Sequence, residues 1–208
     1  MPKPTLEQWL GIADRFYQST NFPNCLGAID GKHIRSVVDA NLSFICIDVR
    51  AYGRESDSTV FKQCTFGKKL YAQQLNIPKP TCLPNTESSP LPYVFLADEA
   101  FGLHSNLWRP YPGRGLNDKR RVFNYRLSRT RRTVECAFGV LSNKWRVLHT
   151  PLSVEPDFAD EIIKACCILH NYVRQRDGAS YEDMESNLDA YADYFVGPGA
   201  IPFQYRFI

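Results

Sequence analysis

Apolar residues recur at helical spacing in several stretches of the chain. From Thr5 to about Ser19 they fall every three to four positions, and Thr5 stands where a helix N-cap is expected. The same spacing recurs in 128–145 and 157–176, and more weakly from Asp57 towards Leu75. We therefore predict one amphipathic helix at the start of the chain, a short one in its middle and two in its second half.

Short β-rich apolar runs lie between these helices. They are CLGAID (Cys25–Asp30), FICIDV (Phe44–Val49) and YVFLAD (Tyr93–Asp98). The last run is uninterrupted, which is typical of a buried central strand. Residues 77–92 contain five prolines and are expected to form an exposed loop. Strands mixed with helices predict an α/β fold with a largely central sheet.

Composition narrows the class of protein. Hydrophobic residues make up 44% of the chain, yet no stretch approaches the roughly 18 apolar residues of a membrane span. We therefore expect no membrane partner. The seven cysteines are scattered and never spaced as C-x-x-C, so we expect mostly reduced thiols in the core, as in a protein of the cytosol or nucleus.

Charge is divided unevenly along the chain, although its net value is only +3. Residues 114–146 hold ten basic and two acidic side chains, a net charge of +8, whereas residues 155–193 hold three basic and ten acidic ones, a net charge of −7. The basic segment has two interpretations at this point. It forms a solvated helix face, or it binds a polyanion such as nucleic acid.

Three carboxylates are candidates for a shared site. Asp30 and Asp98 each end an apolar strand, and Glu135 lies in a predicted helix after Arg131. Strand ends are where α/β sheets place their sites, and converging carboxylates select hard cations such as Mg²⁺ or Mn²⁺. Each residue also has a structural alternative. Asp30 precedes a glycine as in a hairpin turn, and Asp98 is followed by Glu99 as in a strand-end pair that faces solvent. The spacing of Glu135 from Arg131 suits a helix ion pair.

Five segments of the chain resemble the Harbinger-type transposases and the nucleases derived from them, a branch of the DDE superfamily. The segments, in order, are NFPNCLGAIDGKHIR, YVFLADEAFGL, RPYPG, FNYRLSRTRRTVECAFGVLSNKWRVL and CCILHNYVR. The resemblance implies an RNase H-like mixed sheet flanked by helices, and an enzyme that cuts DNA with two divalent metal ions, Mg²⁺ or Mn²⁺.

The resemblance also implies roles for particular residues. The aspartates and the glutamate of the family fall on Asp30, Asp98 and Glu135, which would be both the catalytic residues and the metal ligands. Contacts with DNA would come from basic side chains, namely Lys32, Arg120, Arg121, Arg126, Arg129, Arg131 and Arg132. A Myb-like partner protein is implied as the DNA reader, together with a location in the nucleus, the cytoplasm being the alternative.

Two departures from the family affect the expected fold and activity. Similar relatives carry additional residues between Arg35 and Ser36, so we expect one strand of the opening antiparallel meander to be missing. The helical DNA-binding region that precedes the catalytic domain is nearly absent. We expect a remnant N-terminal helix in 1–20, a nuclease-like domain in 21–178 and an acidic, weakly structured tail in 179–208. The alternative function is an inactive, domesticated protein that binds nucleic acid or a partner.

Overall fold

Strands and helices are mixed along the part of the chain that the computed structural model describes, residues 3–30, 34–49 and 61–177. In chain order the elements are α1 (Leu6–Thr20), β1 (Cys25–Asp30), β2 (Arg35–Val38), β3 (Phe44–Asp48), α2 (Thr65–Tyr71), β4 (Val94–Leu96), β5 (Leu107–Trp108), α3 (Asp118–Lys144), a 3-10 turn (Arg146–His149) and α4 (Pro156–Asp177). The strands form one sheet in the order β3-β2-β1-β4-β5.

The sheet is mixed. Strand β1 pairs antiparallel with β2, and β2 pairs antiparallel with β3. On its other side β1 runs parallel to β4, and β4 runs parallel to β5. Helices flank this five-stranded sheet, so the expected α/β class and its RNase H-like arrangement are confirmed.

The prediction that a meander strand is missing is wrong, as the pairing of the strands shows. Arg35–Val38 forms β2, in which Val37 pairs with Ile29 of β1 on one side and with Cys46 of β3 on the other. All four residues of β2 are buried. A strand buried on both faces shows no alternation of apolar and polar residues, which is why β2 was not predicted from the sequence. Strand β1 therefore has a paired neighbour on each side.

Different helices pack on the two faces of the sheet. On one face, Trp9 of α1 and Phe66 of α2 pack edge-on against Phe95 of β4. On the other face, Ala28 of β1 shares a buried cluster with Val134 of α3. Neighbouring residues of a strand point to opposite faces, so this packing assigns Ala28, and Asp30 two residues later, to the α3 face.

Capping side chains define the ends of two helices. The helix α1 begins as predicted, with Thr5 and Gln8 bonding each other's backbone in a capping box. The helix α3 begins at Asp118, ten residues before the predicted start at Ser128. Asn117 caps it by accepting a hydrogen bond from the backbone N–H of Arg120 at 3.0 Å. Six of the first ten residues are charged or polar, so their helical periodicity was weak in the sequence.

Side chains of α4 cover the outer edge of β3. Asn171 uses both ends of its amide, since its Oδ1 accepts from Phe44 N and its Nδ2 donates to Phe44 O, both at 2.8 Å. His170 is buried, its Nε2 lies 2.8 Å from Leu42 O, and its ring packs against Phe44. These bonds occupy backbone groups that would otherwise be open to another strand.

All seven cysteines are free thiols, and four of them are buried. The buried four are Cys25, Cys64, Cys166 and Cys167. Burial raises the pKa of Cys167 to about 12, and burial together with the nearby Cys64 raises the pKa of Cys46 to about 12. A thiol with a raised pKa stays protonated at neutral pH and reacts slowly. The predicted core thiols are confirmed at these positions.

The chain divides into two compact units at Asn171, the second of which begins at Tyr172. The structure describes the second unit only to residue 177, the end of α4. The predicted acidic tail in 179–208 and the predicted helix start at Asp57 lie outside the described residues. The three predicted domains stay a prediction. Among the described helices, none has the length and apolar character needed to cross a membrane.

Candidate active site

Asp30 and Asp98 leave the sheet at the same edge and on the same face. Ala28 of β1 pairs with Leu96 of β4 across the parallel strands. Asp30 and Asp98 each lie two residues further along, so they follow this pair in register and share its face. The sheet face in question is the one that α3 covers, because Ala28 contacts the Val134 cluster.

The environments of the two aspartates differ. The Asp98 side chain is half-buried, and its Oδ1 accepts a hydrogen bond from Ala100 N at 2.9 Å, which closes a tight turn after β4. The Asp30 carboxylate faces a cation instead. Its Oδ1 lies 3.5 Å from Nη2 of Arg131 on α3, with 35% of the Asp30 side chain and 16% of the Arg131 side chain exposed.

Glu135 lies one helical turn after Arg131 on α3, and its side chain is exposed. The helix ion pair considered for it does not form, because Arg131 pairs with Asp30 and no ion pair of Glu135 occurs in the described part of the chain. Since residues four apart share a helix face, Glu135 points along the same side of α3 as Arg131. The third carboxylate therefore lies on the side of the helix that carries the contact with Asp30.

Among the residues that the structure describes, two buried polar atoms beside Asp30 have no hydrogen-bond partner. Ser36 of β2 pairs directly with Asp30 across the antiparallel strands, and its Oγ is one of them. The other is Nε of Arg131. Buried polar groups are nearly always bonded, and leaving one unpaired costs about 1–3 kcal/mol. Around Asp30 the protein thus keeps polar groups whose hydrogen-bonding capacity is unused.

Most of the chain matches a known protein family. The profile of the DDE superfamily endonucleases matches residues 16–171, which include both aspartates, Arg131 and Glu135. The chain belongs to the DDE superfamily of endonucleases. The expected relationship to Harbinger-type transposase-derived proteins is confirmed at the same time.

One similar relative is "Protein ALP1-like" of Arabidopsis thaliana. It is 26% identical to this chain over 199 residues, an alignment that covers 83% of this chain and 48% of the relative. The DDE endonuclease chain thus spans about half the length of that relative. No solved structure matches the chain significantly.

The candidate ligands at this end of the sheet have the right chemistry for a divalent cation. Asp30, Asp98 and Glu135 offer carboxylate oxygens, the ligands that Mg²⁺ and Mn²⁺ prefer, and Ser36 adds a hydroxyl beside Asp30. The spacing of these side chains fits a metal ion less well. Among residues 3–30, 34–49 and 61–177, no three His, Cys, Asp or Glu side chains are grouped closely enough to hold a metal ion. The Arg131 guanidinium lies beside the Asp30 carboxylate in this arrangement.

The predicted DNA-binding side chains of α3 divide into two groups. Two of them bind other parts of the protein, since Arg126 Nη1 donates to Asn21 O at 2.7 Å and Arg120 lies over the Tyr111 ring at 5.0 Å. Arg121 makes only a weak contact, 3.5 Å to Asp118, with both side chains largely exposed.

The other group consists of Arg129, Arg131 and Arg132. Arg129 and Arg132 are exposed, and Arg131 is the half-buried partner of Asp30. Lys32 lies outside the described residues. The residues best placed to meet a phosphate chain near Asp30 are therefore Arg131 and Arg132.

Sequence reasoning missed two features of the candidate site. Ser36 was not recognised as a neighbour of Asp30, because a strand of the meander was predicted to be missing at this point. The pairing of Arg131 with Asp30 joins positions about a hundred residues apart, and no local pattern indicates such a contact. The family resemblance was the signal that placed both segments at one site.

Proposed function

We propose that this chain is a metal-dependent endonuclease domain of transposase origin that cleaves DNA phosphodiester bonds. Asp30, Asp98 and Glu135 are its metal ligands, and Mg²⁺ or Mn²⁺ is its cofactor. The proposal is supported by family membership and by one observation above the others. Two strand-end aspartates share an edge and a face of the sheet, and the helix over that face carries Glu135.

Each part of the site has a role in this proposal. When bound, a pair of divalent cations activates the attacking water and stabilises the leaving oxygen of a phosphodiester. The sheet holds Asp30 and Asp98 by backbone pairing, and the turn bond from Ala100 N orients Asp98. The basic side chains Arg131 and Arg132 attract and position the phosphate chain. Ser36 holds a polar group beside Asp30.

A second function has its own support. In the described part of the chain the three carboxylates do not form a complete metal group, and Arg131 already neutralises Asp30. That arrangement suits an inactive, domesticated protein which binds nucleic acid or a partner through α3. The two functions differ in whether bound DNA is cut.

The experiment that separates them is a nicking assay on supercoiled plasmid with Mg²⁺ or Mn²⁺. The informative variant is Asp98→Asn, because the amide keeps an oxygen for the hydrogen bond from Ala100 N. The matched control is Glu99→Gln, which makes the same chemical change at the exposed neighbouring position.

We expect the unaltered chain and Glu99→Gln to nick the plasmid with metal and not with EDTA, and Asp98→Asn to be inactive. Equal nicking by all three proteins would contradict the endonuclease proposal, because the cutting would not depend on Asp98. DNA binding without nicking by any of them would favour the second function.

The proposed setting is DNA in the nucleus, with the cytoplasm as the alternative. A Myb-like partner that supplies DNA recognition belongs to the same proposal and is drawn from the family resemblance. Fluorescent tagging of the chain tests the location. Co-purification from nuclear extract, with and without nuclease treatment, tests whether a DNA-binding protein associates directly.

A further inference from the structure

The contact between Arg131 and Asp30 is a weak form of an arginine–carboxylate pair. Strong pairs are bidentate, with two parallel N–H···O bonds of about 2.7–2.9 Å. Here the contact joins Nη2 of Arg131 to Oδ1 of Asp30 at 3.5 Å, longer than that range, and among the described residues the Nε of the same side chain is buried with no hydrogen-bond partner. Arg131 thus neutralises Asp30 without using the geometry that would make the pair durable.

The surroundings of this pair favour its replacement. Asp30 is 35% exposed, so its carboxylate is open to solvent and to ions. Ser36 Oγ, directly across the strand pair from Asp30, is buried and has no hydrogen-bond partner. A doubly charged cation with an oxygen shell attracts the carboxylate more strongly than one guanidinium nitrogen at 3.5 Å does.

We propose that Arg131 is a removable counter-ion for Asp30, which competes with the divalent cation for this carboxylate. The inference rests on the proposed metal site. In the metal-free protein Arg131 neutralises Asp30 and so limits the repulsion between neighbouring carboxylates. When the cation binds, Arg131 is displaced, and its guanidinium becomes available to a DNA phosphate beside the exposed Arg132.

The competition links metal binding to DNA binding. If the cation releases Arg131 for a phosphate, then the cation raises DNA affinity, and DNA raises metal affinity by the same factor. Arg131 is a positioning residue in this scheme, because it acts through Asp30 and through the phosphate chain. Its removal affects metal affinity even in the absence of DNA.

The test is a Mn²⁺ titration of the purified chain without DNA, followed by the electron paramagnetic resonance signal of free Mn²⁺. We compare the unaltered chain with Arg131→Met and with the matched control Arg129→Met. The control removes the same charge from the same helix, two residues earlier, where the side chain is exposed and points to another side of α3.

We expect Arg131→Met to bind Mn²⁺ about two- to fivefold more tightly than the unaltered chain, the range that follows from losing a partly exposed ion pair. Arg129→Met should change the affinity by less than about twofold, because exposed charges are screened. Adding Asp30→Asn to Arg131→Met should abolish the gain. Should the methionine variant not fold, Arg131→Gln is compared with Arg129→Gln with the same expectation.

The outcomes separate this inference from the proposed function. Equal Mn²⁺ affinity in the Arg131 and Arg129 variants, with Mn²⁺ binding lost in Asp98→Asn, would overturn the competition and leave the metal site standing. A failure of every variant to bind Mn²⁺ would overturn both. A second readout is DNA binding with Ca²⁺ added, which should tighten for the unaltered chain and not for Arg131→Met.

Discussion

Two arginine–aspartate pairs in this fold have nearly the same contact distance and different surroundings. Arg35 Nη2 lies 3.3 Å from Asp48 Oδ2, and these residues are direct partners in the register of β2 and β3. Arg131 Nη2 lies 3.5 Å from Asp30 Oδ1 and joins α3 to the end of β1. The side chain of Arg35 is 3% exposed, whereas that of Arg131 is 16% exposed.

The difference shows how burial and backbone geometry separate a structural pair from a replaceable one. The backbone ladder holds Arg35 opposite Asp48, and a buried guanidinium that loses its partner carries a large desolvation cost. The pair of Arg131 spans two elements, has a more exposed carboxylate and lies at the sheet edge where sites form. Similar chemistry therefore stabilises the register in one place and leaves a ligand position accessible in the other.

The largest expected effect concerns the two aspartates of these pairs. If the site carries catalysis, Asp30→Asn should lower metal-dependent nicking by about 10³-fold or more, since cation stabilisation of the transition state is worth several kcal/mol. Asp48→Asn should retain nicking when assayed at a temperature where the variant is folded. Equal losses in the two variants, measured as initial nicking rates, would show that the pair of Asp30 is no closer to the catalytic site than the pair of Asp48.

The second largest expected effect is on the folding stability of the chain. Arg35→Met should lower the free energy of unfolding by about 2 kcal/mol, because it leaves the mostly buried Asp48 carboxylate without the Arg35 guanidinium. Urea denaturation followed by tryptophan fluorescence measures the change. Arg129→Met serves as the exposed control and should stay within about 0.5 kcal/mol of the unaltered chain. A small loss for Arg35→Met would show that β2 and β3 keep their register without the pair.

A smaller effect is expected in the salt dependence of DNA binding. With Ca²⁺ present to release Arg131 from Asp30, and with Arg131 and Arg132 each neutralising one phosphate, replacing both by Ala should flatten the slope of log affinity against log salt by about 1.8, or 0.9 for each phosphate. Fluorescence anisotropy across a salt series gives the slope. Arg35→Met should leave it unchanged, because a buried arginine cannot reach a phosphate. An unchanged slope in the double variant would make the basic surface a solvated face.

The smallest effect is the stability change for Arg131→Met in EDTA. We expect a loss of about 1 kcal/mol or less, because the carboxylate is about one third exposed and water can replace the guanidinium. Urea denaturation under the conditions used for Arg35→Met makes the two values comparable. A loss as large as that of Arg35→Met would mean that the pair with Asp30 is structural, and the proposed exchange with a cation would lose its basis.

Local patterns in the sequence determined several elements and the candidate residues within them. The amphipathic spacing of α1, with Thr5 as its cap, and the apolar runs of β1, β3 and β4 are short-range features, so they were predicted close to their observed bounds. The carboxylates at the strand ends were visible in the same way, since each directly follows an apolar run.

Tertiary structure decided the features that depend on several segments at once. Strand β2 is buried on both faces and β5 has two residues, so neither carries a periodic signal, and both exist because neighbouring strands pair with them. The start of α3 is held by the Asn117 cap and by the contact of Arg120 with the Tyr111 ring. The contact of Arg131 with Asp30 joins residues that are close only after the sheet and α3 have packed, which is why the folded chain, and not its sequence, shows which cation neutralises the carboxylate.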